Sequence, residues 1–277
     1  MKDFNEFFSA NKDLWNKRTP VHKDSSFYNL SAFREGESVL TPIELSGVGD
    51  VTGMKMLHLQ CHFGMDSLDW ARRGAKVTGV DLSDVAVTEA RKLNEELGLD
   101  ASFVCCNVYD LHPDNITLTG ISPLEGYGQA DIIFASYGVV GWLPDLNKWA
   151  EILAHYLKPG GVFYLAEFHP VVWMFDDDFT KIAYAYDNQE TIMLENQHTY
   201  TDGEDAIIAK EYSWNHSLSE VLNALLSAGL RITSFDEYMY SPYPNFKNSI
   251  EVEPGKWYIK GMKKKIPMVY SVKAVRQ

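Results

Sequence analysis

Met56-Leu57-His58-Leu59-Gln60-Cys61-His62-Phe63-Gly64, followed by Val77-Thr78-Gly79-Val80-Asp81, decides the fold. The apolar run 54–60 is bounded by Gly53 and Gly64 and predicts a short buried strand. Residues 65–73 have helical character, and Gly74 stops them. Ala75 to Val80 predicts a second strand that runs into an acid, Asp81. Strand, tight turn, helix, strand is the opening unit of a doubly wound sheet, in which ligands collect beyond the carboxyl ends of the strands. Gln60, Cys61, His62, Phe63 and Gly64 are therefore a candidate ligand turn. Asp81, with Leu82 after it, is spaced from that turn as an acid that accepts hydrogen bonds from ribose hydroxyls. Taken alone, the same residues equally describe an ordinary strand–helix turn and a helix-capping aspartate.

The rhythm continues outward. Ser83 caps a helix that runs to about Leu97 and stops at Gly98. Ala101 to Cys106 predicts a third strand, and 111–129, rich in Pro, Gly, Thr and Asn, a surface loop. Ala130 to Ser136 is a fourth strand, and Asp145 caps a helix ending near Leu157. Lys158-Pro159-Gly160-Gly161 then turns the chain into a fifth strand, 162–168. Residues 170–213 break the pattern. Ile182 to Tyr186, Thr191 to Tyr200 and Ala206 to Tyr212 predict short antiparallel strands around Asp202-Gly203, an inserted β cap. Ser217-Leu218-Ser219-Glu220 is a capping box opening a helix to about Ala228, and strands near 230–238 and 268–275 finish the chain. The expected fold is α/β: a Rossmann-like, doubly wound, seven-stranded sheet, mostly parallel with its last strand antiparallel. Residues 1–49, with Phe4, Phe7, Phe8, Leu14 and Trp15 at helical spacing over 3–17, form an N-terminal helical segment ahead of a 50–277 domain.

Further strand ends carry candidate binding groups. Asn107 and Val108 follow the third strand, where an amide and an apolar side chain suit an adenine edge and face. Ser136, Tyr137 and Gly138 follow the fourth. A dinucleotide site needs several glycines so that the backbone can approach a pyrophosphate. The first turn has Gly64 but carries Gln60 and His62 where glycines would lie, which disfavours a nicotinamide or flavin dinucleotide.

These segments, in this order, resemble the class I S-adenosylmethionine (SAM)-dependent methyltransferase superfamily, over about residues 50–170 and more loosely to the C-terminus. The chain departs from the superfamily's first motif: His58 replaces the usual acid, Gln60 and His62 replace two glycines, and Asn107 replaces the common Asp of the adenine site. The resemblance implies SAM as cofactor and S-adenosylhomocysteine as product. It also makes the segment around Trp15, Arg18, His22 and Tyr28 a lid over the cofactor, with a purely structural N-terminal helix as the equal alternative. Glu167 and His169 end the fifth strand on one face, as a general base and its orienting acid would. The alternative for His169 is an anchor for the cap, and methyl transfer by alignment alone needs no base. Trp142, Trp173, Tyr200, Trp214, His216 and Tyr243, with Tyr137, are candidate linings of an acceptor pocket, though each taken singly is more commonly an aromatic core residue. Ser136-Tyr137-Gly138-Val139 stands where related nitrogen methyltransferases carry Asn-Pro-Pro-Tyr, which favours a metabolite acceptor.

Composition bounds the rest. The net charge of −13 argues against nucleic-acid partners, and Lys263-Lys264-Lys265 is a solvated run rather than a phosphate-binding face. No apolar run is long enough to span a membrane, the N-terminus has no signal-peptide pattern, and Cys61, Cys105 and Cys106 lack disulfide or zinc spacing. The expectation is a cytoplasmic transferase that methylates a small molecule and uses no metal. A non-catalytic SAM-binding protein and a nucleic-acid or protein methyltransferase are the rivals, with a Rossmann-like oxidoreductase behind them.

Overall fold

A computed structural model describes residues 4–119, 122–125, 127–197, 199–201 and 207–277. Three helices come first: α1 (Asn5–Lys23), α2 (Leu30–Arg34) and α3 (Pro42–Val48). The alternating core follows: β1 (Lys55–Leu59), α4 (Met65–Arg72), β2 (Lys76–Asp81), α5 (Asp84–Leu97), β3 (Ala101–Cys105), α6 (Pro113–Thr119), β4 (Ala130–Ser136), α7 (Leu146–Tyr156) and β5 (Leu157–Phe168). A small hairpin, β6 (Ile192–Gln197) and β7 (Ile207–Ser213), precedes α8 (Leu218–Ser227) and β8 (Leu230–Tyr238). A second hairpin, β9 (Ser249–Glu253) and β10 (Lys256–Ile259), precedes the closing strand β11 (Val269–Arg276).

The main sheet has seven strands in the order β3-β2-β1-β4-β5-β11-β8. β1, β2, β3, β4 and β5 pair in parallel, and β11 runs antiparallel to both β5 and β8. The order reverses between β1 and β4, so the ends of these two strands open the switch-point crevice where a doubly wound sheet takes its ligand. Both faces are covered. Trp149 of α7 packs edge-on against Phe163 on one face, and Trp70 of α4 meets Phe134 on the other. This double burial explains why Ala130–Ser136 is a nearly continuous apolar run rather than an alternating one.

Local chemistry sets the boundaries. Ser83 caps α5 by accepting from the Ala86 amide, and Gly98 ends it in a left-handed turn. Asp145 caps α7, and Ser217 with Glu220 closes the capping box of α8. Elsewhere the structure departs from expectation. The loop foreseen at 111–129 contains α6, because His112 and Pro113 start a short helix whose Asn115 donates to the Tyr109 carbonyl. The cap has two described strands, not three. Ile182–Tyr186 forms no strand: Ile182 makes one isolated bridge to Phe175 and is 65% exposed, so nothing apolar rewards an extended edge there. Asp202-Gly203 lies outside the described residues. The β9–β10 hairpin was not foreseen, because its Ser-Ile-Glu-Val-Glu strand is exposed along nearly its whole length. α1 continues past 17 to Lys23 with Pro20 inside it.

α1 is bound to the cap and to the core together. Asn11 donates to the Tyr212 carbonyl (2.8 Å) and accepts from the Tyr212 amide (2.9 Å), taking the place of a neighbouring strand along β7. The Arg18 guanidinium pairs with Glu211 of β7 at 2.6 Å, and both side chains are largely buried. At the other side of α1, Asn16 accepts from the Ser83 hydroxyl at 2.6 Å and donates to Asp84 at 3.1 Å. No helix among the described residues is long and apolar enough to cross a membrane.

Candidate active site

The turn after β1 is wound tightly. Gln60, His62 and Gly64 all have positive φ, at 55°, 52° and 84°. Two of the positions where the superfamily carries glycine thus keep a left-handed backbone here although Gln and His fill them, at about 1–2 kcal/mol each. Such strain is retained where the surrounding structure holds it, commonly at a working site. The hold is visible. The His62 amide donates to Asp81 at 2.8 Å, the Cys61 amide donates to the Val80 carbonyl at 2.9 Å, and the Gln60 side-chain amide donates to the Val139 carbonyl at 2.9 Å. The turn after β4 repeats the feature, with Tyr137 at φ 34° and Gly138 at φ 75°.

Asp81 ends β2 with one oxygen accepting from His62 and the other from the Ser83 amide at 2.8 Å. Each carboxylate oxygen keeps a further lone pair. Burial pushes its carboxyl up to about 6, against the pull of those amides. Leu82, next in the chain, accepts at its carbonyl from the Cys105 thiol. Asn107 spends its side-chain oxygen on capping the short turn Val108–Leu111, accepting from the Tyr109 amide, and Val108 is buried beneath it. Ser136 ends β4 and donates to Asp66 at 2.8 Å.

The roof is aromatic. Trp15 of α1 meets His22, His62 and Trp142 edge-on, at 5.8, 5.2 and 5.2 Å between ring centroids. Tyr28 packs on Phe63 at 4.8 Å and on His62 at 5.7 Å, and its hydroxyl meets that of Tyr200 from the cap. His22 Nδ1 and His62 Nε2 lie 3.0 Å apart and share one proton, while His22 Nε2 is bonded to the Thr199 hydroxyl. Burial is the main cause that pushes His22 down to about 2 and His62 to about 3, so both imidazoles are neutral. Three segments far apart in the chain, 15–28, 60–64 and 199–200, thus meet at one point.

Other expected site residues lie elsewhere or are already committed. Glu167 and His169 do not pair. The two Glu167 oxygens accept from the backbone amides of Gly138, Val139, Val140 and Phe168, which fixes the loop after β4. His169 is bonded to Glu237 through Nε2 at 2.9 Å and accepts the Val171 amide at Nδ1, so both of its nitrogens are in use. Trp214 packs against Phe4 and Phe7 and donates to Thr191, and His216 donates to the Leu143 carbonyl; both tie the base of the cap to its neighbours. Trp173 is 41% exposed and lies on Phe168 and Phe246, away from the roof. Tyr243 joins Tyr137 and, through Phe27, the edge of the roof. Asp66 was missed. An acid in the first turn of a helix reads as a favourable dipole partner, and only the fold places it against the end of β4.

Asp81 at the end of β2, the positive-φ turn and the switch-point crevice mark the ligand-binding end of a doubly wound α/β fold. Residues 57–163 match the family model described as Methyltransferase domain. Among curated proteins the chain is similar to the ubiquinone biosynthesis O-methyltransferases of Pasteurella multocida (26% identical over 131 residues) and Photorhabdus laumondii (29% over 126 residues). These matches cover 46% and 44% of this chain and 53% and 48% of the relatives, so the chain spans about half the length of the curated relatives it matches. Among solved structures it shares its fold with an S-adenosylmethionine-dependent methyltransferase from Mesorhizobium loti (TM-score 0.56, 18% identity, 88% of this chain and all of that one). It does so too with geranyl diphosphate C-methyltransferase from Streptomyces coelicolor, solved with Mg2+, geranyl diphosphate and S-adenosylhomocysteine (TM-score 0.55, 15% identity, 90% and 79% covered). The core, residues 57–163, is thus similar to a methyltransferase domain, on a fold shared with SAM-dependent methyltransferases.

Proposed function

We propose that this protein binds SAM at the ends of β1, β2 and β4 and methylates a small-molecule acceptor beneath the roof formed by α1 and the cap. The observation that carries the proposal is the charge of the crevice. Asp81 ends β2, Asp66 of α4 meets the end of β4, His22 and His62 are neutral, and Arg18 is already paired with Glu211. A crevice of this charge suits a sulfonium and an ammonium and repels the pyrophosphate of a dinucleotide. In this reading Asp81 holds the ribose hydroxyls, the turn Gln60–Gly64 lies under the nucleoside, and Val108 flanks the adenine. Bound SAM supplies the activated methyl group and a thioether leaving group. The protein's own part is to orient the acceptor, exclude water with the rings of Trp15, Tyr28, Trp142 and Tyr200, and keep His62 uncharged beside a cation. The free thiols of Cys61, Cys105 and Cys106 fit a cytoplasmic enzyme.

SAM and S-adenosylhomocysteine are expected to raise the melting temperature, and NAD and NADP to leave it unchanged, since only a ligand of the folded state stabilises by mass action. Asp81→Ala should weaken SAM by about 1.5–3 kcal/mol in calorimetry without unfolding the chain. A shift with NAD and none with SAM ends the proposal. The acceptor is sought by product formation over a panel that includes oxygen and carbon nucleophiles, the classes named in the relatives.

Glu167 and His169 act in this reading as anchors of the loops after β4 and β5. His169→Ala should therefore lower stability by about 1–3 kcal/mol through the partners left unpaired, and leave SAM affinity and the saturated rate near wild type. A rate lowered about a hundredfold at unchanged SAM affinity would instead make His169 the proton acceptor.

A further inference from the structure

The superfamily's first motif carries an acid where this chain has His58, and His58 cannot replace its charge. It is buried, bonded through Nδ1 to the Ser67 hydroxyl at 2.7 Å, and pushed down to about 3 by desolvation, so it is neutral. The residue beside Ser67 is Asp66. Its carboxylate accepts from Ser136 and pairs with no lysine, arginine or histidine among the described residues. Its charged neighbour, Asp69, has the same sign and is itself held by the Ser38 hydroxyl and the Val39 amide. A carboxylate taken largely out of water without a counter-ion is stabilised by a ligand that brings a cation. Gln60 adds a second acceptor nearby in the fold: its side-chain oxygen is buried and bonded to nothing among the described residues.

The sheet order indicates which cation. The strands stand in the order β3-β2-β1-β4, so with a ribose held at the end of β2 and an adenine beside Asn107 and Val108 after β3, the rest of the cofactor would lie the other way, over β1 toward β4. β4 is two strand spacings from β2, about 10 Å. Ser136, at its end, meets Asp66 there. We propose that Asp66, positioned by Ser136, accepts the ammonium group of the methionyl arm of SAM, replacing the acid lost at His58. This inference rests on the proposed cofactor and is tested separately from it.

Calorimetry with two ligands makes the separation. S-adenosylhomocysteine has the amino-acid arm, and 5′-methylthioadenosine has the same nucleoside and thioether without it. Asp66→Asn keeps the shape and the bond from Ser136 and removes only the charge. It should weaken S-adenosylhomocysteine about 10- to 100-fold and leave methylthioadenosine within twofold of wild type, the loss expected for a hydrogen bond to a charged group. Asp81→Asn should weaken both ligands. Equal losses for the two ligands in folded Asp66→Asn, or no loss for either, would overturn the assignment of Asp66. A wild type that binds neither ligand would remove the cofactor reading and this inference together, whereas loss of both ligands only in Asp81→Asn leaves the cofactor in place and rejects Asp66.

Discussion

Gly64→Ala is expected to destabilise the protein by roughly 2–5 kcal/mol, while Gly98→Ala costs about 1–2 kcal/mol. Both glycines have positive φ, 84° and 60°, so an alanine pays the same left-handed penalty at each. Their surroundings differ. A Cβ on Gly64 would lie 2.7 Å from the Phe103 ring and 3.0 Å from the Ala90 Cβ, whereas a Cβ on Gly98 meets nothing within 4 Å. Phe103 and Ala90 are buried in β3 and α5, and neither can swing aside as the tip of a long side chain would. Insertion at Gly64 therefore adds overpacking, about 1–3 kcal/mol, to the backbone term. Urea unfolding of the two variants side by side isolates that added term. Equal losses would mean that the first turn is not packed against β3 and α5 as described.

The same contrast explains how much of the fold was legible. The stops and starts of α5 and α7 follow from side chains that act within three or four residues, Ser83, Gly98 and Asp145, and the expected and observed boundaries agree to about a residue. β4 matches its expected span, 130–136, because a strand buried on both faces is apolar along nearly its whole length. The elements that were missed lack such local rules. β9 has a regular strand but no buried face, and α6 is a single short helix in a segment whose composition resembles a loop. Ile182–Tyr186 alternates like a strand, yet alternation rewards extension only where a partner strand and a core are present.

The site divides in the same way. That Gln60–Gly64 follow β1 and Asp81 ends β2 was legible from sequence, because strand, turn, helix and strand follow in order there. Residues whose significance depends on contact across the chain were not. Glu167 and His169 share a strand face, but which amide or acid each meets is decided by the loop after β4 and by Glu237 on β8. Asp66 gains a role only through Ser136, and His22 only through His62 and Thr199.

His22→Gln is expected to remove a large part of the acid sensitivity of the fold. His22 is fully buried, and desolvation, then the nearby His62 and the Arg18 charge, push its pKa down to about 2. An unfolded histidine titrates near 6.5, so the unfolded state takes up this proton and the folded state refuses it. The sign follows: above pH about 6.5 the group carries no pH-dependent penalty, and below it stability falls by about 1.4 kcal/mol per pH unit until the folded pKa is reached. Buried carboxyls oppose this. Burial pushes Glu44 up to about 7 and Asp66 and Asp81 to about 6, so the folded state gains protons, and stability, as the pH falls through that range toward their unfolded values. Wild-type stability alone mixes the two sets, but the difference between wild type and His22→Gln does not. At pH 7.5 the variant should be less stable, having exchanged the bonds to His62 and Thr199 for a poorer fit. Between pH 7.5 and 4.5 it should recover about 2.7 kcal/mol relative to wild type. Urea unfolding at one-unit intervals reads this directly, and a difference that stays constant over the range would show that His22 titrates in the folded state as it does in the unfolded one. The same arithmetic sets the working range of the roof. A histidine held that far below its ordinary range stays neutral near pH 6–7, so protonation does not break the contact joining α1, the first turn and the cap there.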